Sequence, residues 1–324
     1  MAYTAGDTIL DDEYNAFINN SSSPFGINHI GGTGSAQYGL GESAVAAVSP
    51  GNTITASQWN ALFSAMDTVA SHTATSITST TSKSAGDTIA VIAAITSDLA
   101  SLASAVAAGS VNTTALTTSG DLTTAVSGST WGGSFTSEMS VTFASANTMR
   151  HFFNAGGKIR FIPTVTGSGL AGDGAGPGAD AAWTNLYAGV GNLDIKAHAS
   201  TRSGNTETVT TNGLALGFHD LTTSYQTILK LTDDTYPYQS NTVEIQAKLD
   251  AAVGTAVTMT VKCISINGTI IPVYDSNNLE GSDTQSYRNG EHTHKIRSVD
   301  VTTASGLTTG IAPSSASTIT AVSV

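Results

Sequence analysis

The chain has 324 residues, a formal net charge of −12 and 11% charged against 40% hydrophobic residues. Lys83 is the sole basic residue before Arg150, in a stretch with ten Asp and Glu; phosphate backbones and anionic membrane surfaces are bound by clustered cations, so neither nucleic acid nor membrane is expected as a partner. No apolar run nears the roughly 20 residues of a membrane span, the first residues do not read as a signal peptide, and Cys263, the single cysteine, allows no internal disulfide, which fits synthesis in a reducing cytoplasm.

Residues 1–70 contain a duplicated block. Gly6-Asp7-Thr8-Ile9 leads through four residues into Tyr14-Asn15-Ala16-Phe17-Ile18, and Gly51-Asn52-Thr53-Ile54 leads through four into Trp59-Asn60-Ala61-Leu62-Phe63. Each copy reads as a glycine turn and a short extended piece entering a helix with an aromatic on one face. Thr55-x-x-Gln58 predicts a capping box, and Asp11, Asp12 and Glu13 place negative charge at the positive end of the first helix. So small an element cannot bury its aromatic face alone. It packs against its twin, or docks on another subunit or a partner through Tyr14, Phe17, Trp59 and Phe63. The copies are joined through Gly31-Gly32-Thr33-Gly34 and Tyr38-Gly39-Leu40-Gly41, which lack the lysine of a nucleotide loop and read as tight turns.

Residues 71–127 read as a Ser/Thr-rich linker carrying one helix. A third Gly86-Asp87-Thr88-Ile89 precedes Ile92, Ile95, Leu99, Leu102 and Val106, whose spacings of three and four make a coiled-coil-like seam compatible with a homotrimer. Residues 128–275 read as a mainly β, sandwich-like domain. Met139 to Phe143 alternates as a strand, Asn147 is expected to cap a short helix carrying Met149, Phe152 and Phe153, and Ile159, Phe161 and Ile195 continue the strand signals. Val243, Ile245, Ala247 and Leu249 alternate, as do Val257, Met259, Val261 and Cys263. Cys263 thereby falls on an apolar face as an inert thiol. The glycine-rich stretch 167–179 reads as a loop. Residues 276–324 form an extended C-terminal arm with too little apolar surface for a core of its own. The fold class expected is α+β and multi-domain, divided at 1–70, 71–127, 128–275 and 276–324.

The stretch His151-Phe-Phe-Asn-Ala-Gly-Gly-Lys-Ile-Arg-Phe161, then Trp183-Thr-Asn-Leu186, Phe218-His-Asp-Leu-Thr-Thr-Ser-Tyr225-Gln-Thr-Ile228, and Tyr238 followed by Asn241-x-Val-x-Ile245, resembles a domain of tail- and fibre-associated virion proteins of tailed bacteriophages. The duplicated block and its Gly34-to-Gly41 linker are similar to N-terminal regions of the same proteins. The resemblance implies a non-enzymatic virion protein, an adaptor or fibre docking as an oligomer with other tail, neck or baseplate proteins, and it carries over no catalytic residues. Extended distal repeats are missing, which favours an adaptor over a receptor-binding fibre.

An enzyme is not expected: no G-x-S-x-G elbow is present, and Asp11-Asp12 and Asp233-Asp234 are adjacent acids in polar turns. The alternative is a receptor-binding fibre or carbohydrate-binding module for a host surface glycan, with Trp183, Tyr187, Tyr236 and Tyr238 stacking on sugar rings. Finally, in Glu291-His292-Thr293-His294 a strand points both imidazoles one way. Three such pairs around a trimer axis would form an octahedral site for a transition metal, set against two histidines in a loop beside Lys295 and Arg297.

Overall fold

The structure, a computed structural model, describes residues 9–89, 92–112, 116–127, 133–166, 179–204, 208–234, 239–266, 291–308 and 310–319. It is mixed α and β, with two antiparallel sheets. The chain divides into two compact units, one from Met1–Thr117, Ser145–Gly157 and Asp300–Ala312, the other from Thr118–Ala144, Lys158–Val299 and Pro313–Val324. The expected boundaries at 70, 127 and 275 are not where the units part, because packing gathers three separate stretches into the first unit.

The first unit is helical. Helices α1 (Asp11–Asn19), α2 (Ala56–Thr73) and α3 (Ile92–Ala107) each follow one G-[DN]-T-I block. The fourth residue of each helix, Tyr14, Trp59 and Ile95, is buried. Tyr14 and Trp59 meet edge-to-face at 5.1 Å, with the Phe17 and Phe63 rings 6.4 and 6.0 Å from the indole. The expected capping box forms: Thr55 Oγ1 accepts from the Gln58 N–H, and Gln58 Oε1 accepts from the Thr55 N–H. The repeat also explains its asparagines. Asn15 donates to the Val48 carbonyl and accepts from the Val48 N–H, both at 2.8 Å; Asn60 does the same to Lys83 at 3.0 and 2.8 Å. Val48 and Lys83 each stand three residues before the glycine of the following block, so each helix fixes the run that leads into the next. Asn28 holds Val45 in the same two-bond way.

A fourth helix, α4 (Ala146–Asn154), also belongs to this unit. Its cap is Ser145, extended at φ −158° and accepting from the Thr148 N–H; Asn147, expected as the cap, lies one step inside the helix. The stretch 300–312 joins through Val301 and Ile311, which pair as an isolated bridge, and Thr308, which donates to Glu42 from its N–H and its hydroxyl at 2.7 and 2.8 Å.

The second unit is a two-sheet sandwich that holds, among the described residues, one α-helix and a short 3-10 turn at Phe218–Asp220. One sheet contains β1 (Leu116–Thr118), β2 (Thr123–Val126), β4 (Lys158–Thr166), β5 (Leu193–Ile195), β6 (Thr201–Arg202) and β11 (Glu291–Val301), ordered β1-β11-β4-β5-β6 with β2 also paired to β11. The other runs β12-β3-β10-β9-β8-β7, from β3 (Ser134–Thr142), β7 (Thr208–Asn212), β8 (Gln226–Thr232), β9 (Thr242–Leu249), β10 (Thr258–Ile266) and β12 (Ser315–Ile319). The predicted alternations on β9 and β10 stand side by side, Ile245 opposite Cys263 and Ala247 opposite Val261, all facing the core. Val257, expected to open β10, lies just before the strand, which begins at Thr258. The expected C-terminal arm divides: β11 is central to one sheet, and β12 adds to the edge of the other beside β3. Helix α5 (Ala179–Val190) buries Trp183, Leu186, Tyr187 and Val190. The loop expected at 167–179 lies outside the described residues, except that Ala179 begins α5.

Candidate functional site

Two polar constellations carry the chemistry of this chain, one in each unit. In the first, α4 grips the glycine-rich linker. Arg150, 4% exposed, donates from Nη1 to the Tyr38 carbonyl and from Nη2 to the Thr33 carbonyl at 2.7 Å and to Asn147 at 3.2 Å. Asn154 Nδ2 shares its hydrogens among the carbonyls of Ala36, Tyr38 and Gly39 at 3.0–3.3 Å. Among the described residues no carboxylate pairs with Arg150; these carbonyl dipoles and His151 Nε2, 3.3 Å from Nη2, offset its buried charge, and burial lowers its pKa. Gly39 sits at φ +91°, where a side chain would press on the Gly32 carbonyl and on Arg150, so the turn that presents these carbonyls requires glycine. Beside Gly41 stands His151, whose pKa is lowered to about 4 by burial and by Arg150.

In the second unit, α5 brings Tyr187 against the inner faces of both sheets. Its hydroxyl lies 2.7 Å from Ser265 Oγ, 2.7 Å from His292 Nδ1 and 2.9 Å from His294 Nε2. His294 Nδ1 is 2.7 Å from Ser137 Oγ, and Cys263 Sγ is 3.6 Å from His294 Nε2. One proton arrangement satisfies these bonds with both imidazoles neutral: Ser265 and His294 donate to the Tyr187 oxygen, Tyr187 donates to His292 Nδ1, and Ser137 donates to His294 Nδ1. Phe135, Phe161 and Trp183 wall the rings. Burial pushes the Tyr187 phenol and the Cys263 thiol up, and burial followed by His292 holds His294 well below the usual imidazole range. The set resembles a nucleophile–base array in composition. It is sealed: His292, His294 and Cys263 are all 0% exposed.

The two histidines share a face of β11 as their spacing required, but it is the inner face of their own sandwich. Neither ring reaches an axis between subunits, because packing against α5 and β3 takes up both. Among the described residues no group of three or more His, Cys, Asp or Glu is placed to hold a metal ion. The expected docking residues are likewise internal. Tyr14, Phe17, Trp59 and Phe63 form the core of the first unit; Ile95, Leu99, Leu102 and Val106 are buried there too, and Ile92 half so. The trimer seam is thus covered by this chain's own helices, with α3 packed on α2 and α1. Asp98 on that stripe is satisfied by the N–H groups of Thr78 and Ser79 and the Ser79 hydroxyl at 2.6–2.9 Å. Trp183 and Tyr187, expected as sugar platforms, are core residues; Tyr236 and Tyr238 lie outside the described residues.

The sequence reading missed Ser137, Ser265 and Asn154, and Tyr187 as the network's hub. Ser137 had a legible signal, a hydroxyl on the core side of an alternating strand. Among the described residues no helix is long and apolar enough to cross a membrane. No protein-family model, no curated protein and no solved structure matches this chain.

Proposed function

We propose that this chain is a non-catalytic structural component of a tailed-phage virion, synthesised in the host cytoplasm. In this reading it is an adaptor or fibre-like protein that docks as an oligomer on tail, neck or baseplate proteins. One observation carries the reading. The two blocks that resemble such virion proteins, the Gly34-to-Gly41 linker and His151-Phe-Phe-Asn-Ala-Gly-Gly, lie more than a hundred residues apart, yet Asn154 of one bonds the carbonyls of the other. These two parts of the resemblance are therefore joined in one physical unit, and its later parts, from Lys158 to Ile245, fall in the second unit. A non-catalytic role is supported by the full burial of Cys263, His292 and His294, the set that in composition resembles a nucleophile–base array. The pocket lined by Asn28, Gly31, Glu42, Ser43 and Thr68 is of about 30 Å³, room for a water.

The test is mass spectrometry and immunogold labelling of purified particles of the phage encoding the chain. The protein should be present at a fixed, low copy number with label at one end of the tail; particles without it would overturn the proposal. The receptor-binding alternative has one feature in its favour. Phe25, His29 and Tyr38 are half-buried with ring centroids 4.5–5.1 Å apart, Phe25 stacked on His29 and Tyr38 tilted against both, a ring cluster on which a sugar can lie. Binding of purified protein to host-surface glycans, lost in Tyr38→Ala, would favour that reading.

A further inference from the structure

The outer face of the β11–β4–β5 sheet is cationic in a chain of net charge −12. Alternation places Lys158 and Arg160 of β4 and Lys295 and Arg297 of β11 on this face, with Arg160 directly opposite Arg297 in the register. Like charges directly opposite are destabilising in an antiparallel pair. Two carboxylates partly relieve them from the flanks: Asp194 bridges Arg160 at 2.6 Å and Lys158 at 3.4 Å, and Asp121 bridges Arg297 at 2.6 Å and Lys295 at 3.1 Å. Four cations thus share these two acids and, at the start of β11, the exposed Glu291 on the same face; the remaining excess of positive charge lies along the middle of the face, where Arg160 stands opposite Arg297. Val126 projects there as well, 45% exposed, because β2 alternates outward at Thr124 and Val126.

The first unit has the opposite character. Nine Asp and Glu stand in its sequence against Lys83 and Arg150 alone, and Arg150 is buried. Its acids concentrate in the first turn of α1, where Asp11, Asp12 and Glu13 follow Leu10, an apolar side chain 50% exposed. Leu10 and Val126 are two of the three large hydrophobic side chains exposed among the described residues. Each stands at the edge of one of these two oppositely charged patches. We infer that the acidic first turn of α1 in one copy docks on the cationic sheet face of a second copy, with Leu10 against Val126 and Asp12 and Glu13 reaching Arg160 and Arg297. A contact between two different patches is head-to-tail, so it closes into a ring or runs on as a filament.

This contact deepens the assembly role proposed above. It is measured on the purified chain, so its failure is distinct from absence of the protein from particles. Sedimentation velocity of the full-length chain should show association at low ionic strength that weakens in about 0.5 M salt, since screening falls to a few ångströms there. Arg160→Gln with Arg297→Gln, and separately Asp12→Lys with Glu13→Lys, should each raise the dissociation constant about tenfold or more. An equimolar mixture of Arg160→Glu/Arg297→Glu with Asp12→Lys/Glu13→Lys should regain association that neither shows alone. Circular dichroism verifies that each variant is folded, and the glutamine pair serves if the glutamate pair does not fold. A wild-type chain that stays monomeric at all concentrations and salts overturns the inference. So does association that survives either double variant, or a folded mixture that fails to recombine.

Discussion

Asn60 shows how one amide can fix a connection. Its side chain supplies both the donor and the acceptor that the Lys83 peptide needs. Asn60→Ala should therefore cost about 2 kcal/mol, read as a lower urea midpoint, because it orphans two partly buried backbone groups. Asn60→Asp should cost as much or more, since it keeps the acceptor but sets a carboxylate against the Lys83 carbonyl. His72 predicts the opposite sign. It is 0% exposed in α2, and neither ring nitrogen has a hydrogen-bond partner of normal geometry, although the nearby Ala155 backbone offsets a little of the burial effect. His72→Leu should stabilise the chain by about 1 kcal/mol, by removing two unsatisfied polar atoms from an apolar site. A thermal midpoint that falls in this variant would show that the ring is bonded in solution.

At the scale of elements, the α3 stripe predicts what a charge does there. Ile95→Asp with Leu99→Asp should unfold the first unit rather than split an oligomer, seen as lost helical ellipticity together with tryptophan exposure, since each buried carboxylate is costly to desolvate. The same stripe marks how far sequence can be read. Spacings of three and four locate a helix that buries one side, and the helix is there; they do not say whether the cover comes from the same chain. The His292–Thr293–His294 alternation behaves in the same way. Period two establishes that both rings share a face, but which face depends on what packs above it, and α5 carrying Tyr187 is an element more than a hundred residues upstream. By contrast, β9 and β10 were legible because one side of each is apolar and the other polar. The asparagines of the repeat were visible as letters only; their two-bond hold on Val48 and Lys83 needs a partner that no local pattern names.

For the whole molecule, the buried histidines set an acid limit. His72 and His151 are held at about 4, mainly by burial, and His294 well below its ordinary value. In the unfolded chain the same rings take up protons near pH 6.5. The unfolded state thus binds more protons below that pH, and stability is full above about 6.5 and declines as pH falls toward 4, by up to about 1.4 kcal/mol per pH unit for a histidine such as His72. Urea titrations at a series of pH values should show this decline, and His72→Leu should flatten it by one proton. A profile that is level from pH 7 to 5 would mean that these rings are hydrated or charged in the native protein.

The first unit is assembled from stretches that a ribosome delivers far apart in time. Its duplicated helices emerge first, α4 with Arg150 follows, and Thr308, which completes the bonds to Glu42, comes only near the end of the sequence. At about 5–20 residues per second, the early helices wait many seconds with their linker carbonyls ungripped. A nascent or truncated copy therefore cannot present a finished unit for assembly. A chain stopped after Val299 keeps the grip of α4 on the linker but lacks the bonds of Thr308 to Glu42, and it should be cut by protease around Glu42, where the complete chain resists, so that the fold itself discriminates finished copies from fragments before they meet their neighbours.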